Sequence, residues 1–114
     1  MAAAHYHLDN VCGIVDVNGL QIDGPVNRIM NVAPVAEKWA AFGWEAFTVD
    51  GHDFEDLVTA LHSAEKIKHK PSVIIAKTVK GKGISFFEGK VAYHGVAPTD
   101  NELQQAMDEL VPRA

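Results

Sequence analysis

Apolar strand-like runs alternate with amphipathic helical stretches along the first two thirds of the chain. Strands are predicted over residues 11–16, 44–49 and 72–78, and helices over 33–42 and 54–67 between them. A strand–helix–strand–helix–strand order is typical of a doubly wound parallel sheet whose crossovers are right-handed. The sequence therefore predicts an α/β protein with a three-layer, doubly wound parallel sheet.

The ends of the two crossover helices carry recognisable signals. Pro34 suits the first turn of the first helix, and Gly43 is well placed to end it. Asp53 is a candidate N-cap for the second helix. The predicted apolar stripe of that helix is Phe54, Leu57, Val58, Leu61 and Ala64.

The third strand has a continuous apolar run, Val73-Ile74-Ile75, which is typical of a strand buried on both faces. A loop over residues 81–91 follows, and then a last helix over 100–110 that begins at Thr99 or Asp100. Three strands form a thin core, so one edge and part of one face of the sheet are expected to need a second copy or another chain. Candidates for that contact are Trp39, Phe42 and Trp44, which fill the small core in the alternative interpretation.

Composition excludes several classes of protein. A hydrophobic fraction of 47% with 22% charged residues is typical of a globular domain. The net charge of −5 gives no basis for binding nucleic acid or an anionic membrane. No apolar run approaches the roughly 20 residues of a membrane span, so a cytoplasmic location is predicted. The single cysteine, Cys12, is expected to be buried in the first strand and excludes an intrachain disulfide.

A polar turn, Asn18-Gly19, follows the first strand and is a candidate ligand site. In an open α/β sheet, ligands bind at loops that leave the carboxyl ends of strands. The Asn18 amide oxygen and the Leu20 carbonyl are neutral oxygen ligands of the kind that Mg²⁺ accepts together with phosphate oxygens and water. An ordinary Asn-Gly turn is the alternative interpretation.

Four further motifs accompany this turn in a fixed order. They are Leu8-Asp9-Asn10, Asp50-Gly51-His52-Asp53, Lys80-Gly81-Lys82-Gly83 and the His-Gly-x-x-Pro motif of His94, Gly95 and Pro98. Together with the turn, they resemble the later part of the thiamine-diphosphate-binding domain of transketolases, over about Ala2 to Leu110. The resemblance is greatest to the N-terminal subunit of split transketolases. Dihydroxyacetone synthase and the deoxyxylulose phosphate synthases share parts of these motifs.

The resemblance implies a role for four residues. Asn18 and the Leu20 carbonyl match ligands of Mg²⁺, and Ile22 matches the apolar residue that packs on the thiazolium ring of thiamine diphosphate. His94 matches a histidine that reaches the cofactor diphosphate and the substrate hydroxyl, and it is the predicted catalytic residue. The implied parent activity transfers a two-carbon ketol unit between sugar phosphates.

The resemblance also implies missing parts. The family has an upstream Gly-Asp-Gly motif whose Asp binds Mg²⁺, and a Glu on a separate pyrimidine-binding domain. Neither is in this sequence, so residues 1–114 are predicted to form a single, partial thiamine-diphosphate-binding domain. Alone, the chain is expected to have no transketolase turnover. Its expected partners are further copies of itself or a pyrimidine-domain transketolase chain; the alternative function is a non-catalytic remnant that self-associates or docks onto such enzymes.

Overall fold

A computed structural model describes residues 1–111, which form five short or medium strands and five α-helices. The strands are β1 (Cys12–Val17), β2 (Leu20–Gln21), β3 (Gly24–Pro25), β4 (Glu45–Asp50) and β5 (Ser72–Lys77). The helices are α1 (Ala2–His5), α2 (Val26–Ile29), α3 (Val35–Ala41), α4 (Phe54–Lys66) and α5 (Asp100–Leu110), with a 3₁₀ turn at Val91–His94. The chain divides into two compact units. We call residues 1–17 with 32–78 the sheet unit, and residues 18–31 with the chain from 79 onward the loop unit.

The sheet unit has β5 at its centre, with β1 and β4 parallel to it on either side. Side chains of β5 are buried from Ser72 to Ala76, and Val73 and Ile74 have no exposed area. Ile74 packs with Val49 and with Ala60 of α4 in the apolar core. The α/β class and the parallel sheet predicted from the sequence are confirmed, and β5 is the doubly buried strand.

Helix α4 begins as predicted but packs on a different stripe. The Asp53 carboxylate accepts hydrogen bonds from Glu55 N (2.8 Å) and Asp56 N (3.3 Å), so the N-cap prediction is confirmed. The buried residues are Ala60 and Ala64, with Leu57 packed against the core. The predicted stripe is wrong for three of its members, whose exposed fractions are 84% for Phe54, 48% for Val58 and 42% for Leu61. Apolar residues occupy two adjacent stripes, and the one containing Ala60 faces the sheet.

Strand β1 is an edge strand with one open face. Its side chains alternate in exposure, and Ile14 is 63% exposed. The expectation that Cys12 is buried in this strand is wrong, because α4 packs over β4 and β5 and leaves β1 uncovered on that face. A cavity of about 640 Å³ lies beside it, lined by the start of β1 and by Val58, Leu61 and Ala64 of α4. The chain therefore has an open sheet edge and a partly open sheet face, as expected from its three strands.

Helix α3 starts at Val35, two residues later than predicted, because Pro34 is its N-cap residue rather than part of its first turn. Gly43 has a φ of 83° and ends the helix as predicted. The rings of Trp39 and Trp44 pack edge to face at 4.7 Å between centroids. Phe42 is 52% exposed. Of these three aromatic residues, Trp39 and Trp44 therefore pack against each other, and Phe42 lies at the surface.

The loop unit contains little regular structure. Strands β2 and β3 form a two-residue antiparallel hairpin, and the short helix α2 follows it directly. Helix α5 spans the predicted residues, and Thr99 caps it. The hairpin and the 3₁₀ turn had no sequence signal, because elements of two to four residues are too short to show a period. Within residues 1–111, no helix has the length and apolarity needed to cross a membrane.

Candidate functional site

The end of the sheet from which Asn18 leaves is tightly fixed. Thr78 Oγ1 donates a hydrogen bond to Asp16 Oδ1, and Gly51 N donates to Lys77 O at 2.7 Å. A Cβ atom at Gly51 would lie 2.5 Å from Thr78 Cγ2, so only glycine allows this approach. The carboxyl ends of the three strands are therefore joined before the chain enters the loop.

The Asn18 turn is held by its own hydrogen bonds. Asn18 Oδ1 accepts from Leu20 N at 2.9 Å, which closes an Asx turn. Gly19 has a φ of 76°, as the predicted Asn-Gly turn requires. Val26 N donates to Gly19 O at 2.9 Å and brings the chain back at the base of the hairpin. The peptide groups around Leu20 thus have a defined orientation.

Ile22 lies at the tip of the β2–β3 hairpin and is 71% exposed. Gln21 Nε2 donates to Met30 O at 2.9 Å, which joins the hairpin to the end of α2. A large apolar side chain held outward on a braced hairpin is available to cover an apolar part of a ligand.

The four predicted site residues line one cavity within the loop unit. The cavity has a volume of about 200 Å³. Its lining residues are Asn18, Leu20, Gln21, Ile22, Lys80, Val91 and His94. Sequence reasoning did not assign Gln21, Lys80 or Val91 to the site. The Lys-Gly-Lys-Gly motif was a signal for Lys80, whereas Gln21 and Val91 have no chemical signature.

His94 ends the 3₁₀ turn and is exposed. The preceding residue, Tyr93, is anchored on α5, because its hydroxyl donates to Glu102 Oε1 at 2.8 Å. The pKa of the Glu102 carboxyl is lowered, first by the Thr99 N–H and then by the hydroxyls of Tyr93 and Thr99. The same hydrogen bond raises the pKa of the Tyr93 phenol.

The segment that carries Lys80 is also braced by carboxylates. Ser85 N and Ser85 Oγ donate to Glu109 of α5 at 2.5 and 2.7 Å, and these bonds lower the pKa of Glu109. Gly83 N donates to Glu88 Oε1 at 3.0 Å. A Cβ atom at Gly81 would lie 2.8 Å from the Phe87 backbone, so the turn closes only around glycine. This segment is the loop predicted over 81–91.

The chemistry of the lining suits an anionic, partly apolar ligand. Among the described residues, the lining presents one ammonium group, one imidazole, neutral oxygens and apolar surface, and no carboxylate. Donors of positive charge form the stronger, charge-assisted hydrogen bonds with phosphate oxygens. Among residues 1–111, no group of three or more His, Cys, Asp or Glu side chains is placed to hold a metal ion. A Mg²⁺ ion at this cavity would therefore depend on neutral protein oxygens together with phosphate oxygens and water.

Comparisons with known proteins agree on one family. The family model for the transketolase thiamine diphosphate-binding domain matches residues 1–111. The chain is 40% identical to the 6-deoxy-6-sulfo-D-fructose transketolase subunit SqwG of Clostridium sp. (strain MSTE9), over 96% of this chain and 40% of that protein. It is 35% identical to an apulose-4-phosphate transketolase subunit of Phocaeicola vulgatus, over 99% of this chain and 40% of that protein.

A solved structure shows the same fold. Transketolase from Campylobacter jejuni superposes with a TM-score of 0.86 at 34% sequence identity, over 94% of this chain and 17% of that chain. The chain thus spans 40% of the length of the two curated subunits and a smaller share of the full-length enzyme.

Proposed function

The chain belongs to the family of transketolase thiamine diphosphate-binding domains, and from that membership we propose that the cavity of the loop unit holds part of thiamine diphosphate with Mg²⁺. The observation that carries the proposal is the gathering of Asn18, Leu20, Ile22 and His94 around one cavity. These residues come from two segments that residues 32–78 of the sheet unit separate in sequence. We propose that residues 1–114 are one partial cofactor-binding domain.

Asn18 and Leu20 are the proposed Mg²⁺ ligands. The Asn18 amide oxygen has two lone pairs, and the Leu20 N–H occupies one acceptor direction at 2.9 Å. The same Asx turn fixes where that oxygen points. The Leu20 carbonyl supplies the other neutral ligand.

Lys80 and His94 are the proposed partners of the diphosphate. Both line the cavity and both offer N–H donors, so they suit phosphate oxygens. Ile22 offers its exposed side chain to the thiazolium ring. When bound, the cofactor supplies the carbon chemistry by which transketolases move a two-carbon ketol unit between sugar phosphates. His94 has the proposed catalytic role of holding a hydroxyl of the sugar phosphate substrate through its imidazole.

The site of this chain is one part of a larger one. Pockets that enclose a drug-sized ligand have volumes of roughly 300–1,000 Å³, whereas this cavity has about 200 Å³. The proposed remainder comes from a pyrimidine-domain transketolase chain or from further copies of this one, in the cytoplasm. Two of the relatives are named as transketolase subunits, which supports a partner chain. Without a partner, the chain is proposed to contact the cofactor but not to catalyse transketolase turnover.

A second candidate function is a non-catalytic docking module. It is favoured by the open face of β1, where Ile14 is 63% exposed, and by the 640 Å³ cavity beside α4. Docking through this face requires no cofactor. Self-association or binding to a thiamine diphosphate enzyme, with no response to the cofactor, would favour it over the first candidate.

The test is a calorimetric titration of thiamine diphosphate into the 114-residue chain, with and without Mg²⁺. Saturable, Mg²⁺-dependent binding is expected, and Asn18→Ala should weaken it at least about tenfold by removing one ligand. Asn101→Ala, which changes an exposed asparagine of α5, is the matched control and should bind as the unchanged chain does.

Asn18→Asp separates the role of this side chain in the turn from its proposed role as a Mg²⁺ ligand. Asp keeps an acceptor for Leu20 N and adds a negative charge, so it should reach half-saturation at a lower Mg²⁺ concentration. Equal binding by the Ala and unchanged chains, or no binding at millimolar cofactor, would contradict the proposed site. A transketolase rate from the purified chain alone would contradict the need for a partner.

A further inference from the structure

Tyr93 and His94 are neighbours in a 3₁₀ turn, and their side chains point in different directions. The backbone of this turn departs from helical values at Tyr93, with φ −88° and ψ 18°. The Tyr93 side chain reaches Glu102 of α5, while His94 lines the cavity. A hydrogen bond that fixes Tyr93 therefore also limits the rotation of the turn that presents His94.

The anchor for Tyr93 is a carboxylate that is itself fixed. Glu102 Oε2 accepts from Thr99 N and from Thr99 Oγ1, both at 2.8 Å, and Glu102 N donates back to Thr99 Oγ1 at 3.3 Å. This capping box holds the side chain of Glu102 at the first turn of α5. Oε1 is then the atom that receives the Tyr93 hydroxyl at 2.8 Å. Both oxygens are in use, and only a carboxylate supplies two acceptor oxygens.

Ring packing and hydrogen bonding of Tyr93 can be separated. Its ring lies 4.2 Å from that of Phe87 and 6.4 Å from that of Phe86, measured between centroids. Phenylalanine at this position keeps these ring contacts and loses only the hydroxyl. The hydrogen bond thus has its own measurable effect.

We infer that Tyr93 and Glu102 are positioning residues that hold the His94 imidazole in its place at the cavity. The inference rests on the proposed function for its consequence in cofactor binding, but the placement of the imidazole is a property of this chain by itself. Without the Tyr93–Glu102 bond, the 3₁₀ turn keeps its apolar contacts and loses the polar contact that sets its orientation. The imidazole then samples several orientations and contacts the ligand in a fraction of them.

The experiment uses two readouts on the 114-residue chain. The first is the ¹H–¹³C resonance of the His94 ring, assigned by its loss in His94→Gln. The second is the dissociation constant for thiamine diphosphate with Mg²⁺. Tyr93→Phe should shift or broaden the His94 resonance and weaken binding by up to about tenfold, the effect of losing one hydrogen bond from the imidazole to the ligand. Tyr6→Phe, at a 69% exposed tyrosine of the sheet unit, should change neither.

A second variant covers the case in which Tyr93→Phe does not fold. Glu102→Gln keeps a single acceptor oxygen, so it should also move the His94 resonance. A purely structural role would lower the free energy of unfolding and leave the resonance of the folded protein unchanged. That result would overturn the inference, as would weaker binding with an unmoved His94 resonance.

Different results would overturn the proposed cofactor site and the proposed placement of His94. If the unchanged chain does not bind the cofactor, the proposed function fails. The His94 resonance of Tyr93→Phe still decides the placement: a changed resonance supports it, and an unchanged one overturns it.

Discussion

The interactions inside the sheet unit differ from those inside the loop unit. In the sheet unit, β5 buries five consecutive residues, and Ile74 lies in an apolar core. In the described part of the loop unit, only Gly24 and Ala106 are buried. It has ring contacts of Tyr93 with Phe86 and Phe87, and its Glu88, Glu102 and Glu109 carboxylates accept hydrogen bonds from backbone and hydroxyl groups. The predicted site residues all lie in the second unit, so the region with the proposed function is the one with little apolar burial.

Removing core volume should have the largest effect and should act on the sheet unit. Ile74→Ala is expected to lower the free energy of unfolding by about 2–5 kcal/mol, since its side chain has no exposed area. Ile14→Ala on the open face of β1, at 63% exposure, is the matched control and should change it by less than about 0.5 kcal/mol. Urea denaturation measures both. Equal effects would mean that β1 is covered in solution.

Backbone strain should have an intermediate effect and should act on the loop unit. Gly81→Ala places a Cβ atom 2.8 Å from Phe87 at a φ of 74°, where the left-handed conformation alone costs about 1–2 kcal/mol. Gly89→Ala has a similar φ of 67° but nothing within 4 Å, so it isolates the conformational part. Thermal unfolding and hydrogen exchange over residues 80–90 should show the larger loss for Gly81→Ala. Equal losses would exclude the contact with Phe87 as a constraint.

Acid should have the smallest effect and should act first on the loop unit. Hydrogen bonds from Thr99 and Ser85 lower the pKa values of Glu102 and Glu109 below their usual 4.5. A lowered folded-state pKa adds stability that is present above the unfolded value and is lost as the pH falls through the folded value. The protection of residues 80–110 against hydrogen exchange, measured relative to the intrinsic rate at each pH, should therefore fall below pH 4.5 before that of β5 does.

Glu109→Gln tests this acid response. It removes one of the two titrating carboxylates, so the loss of protection against exchange between neutral and acid pH should shrink. An acid response that is unchanged in this variant, or one that appears first in β5, would show that these carboxylates do not hold the loop unit.

Elements whose signals are local were predictable from the sequence. The run Val73-Ile74-Ile75 identified the buried strand, Asp53 and Thr99 identified helix starts, and Gly43 identified a helix end. Each depends on the properties of neighbouring residues. For the same reason, the position of the polar turn at Asn18 was predictable.

Features that depend on distant parts of the chain were not predictable. The exposure of Cys12 and Ile14 depends on which elements lie beside β1, and Phe54 belonged to one of two apolar stripes that periodicity alone did not separate. The Tyr93–Glu102 bond joins a short turn to a helix without any sequence motif. The residues of the candidate site came from the family resemblance, and the cavity that gathers them came from the structure.

The most direct test of the proposed site is hydrogen–deuterium exchange with and without thiamine diphosphate and Mg²⁺. Binding at the cavity should slow exchange in residues 18–22 and 91–95 and leave β5 unchanged, because a bound ligand protects the segments that it orders. No slowing in these two segments at saturating cofactor, or slowing only beside the α4 cavity, would contradict the proposed site.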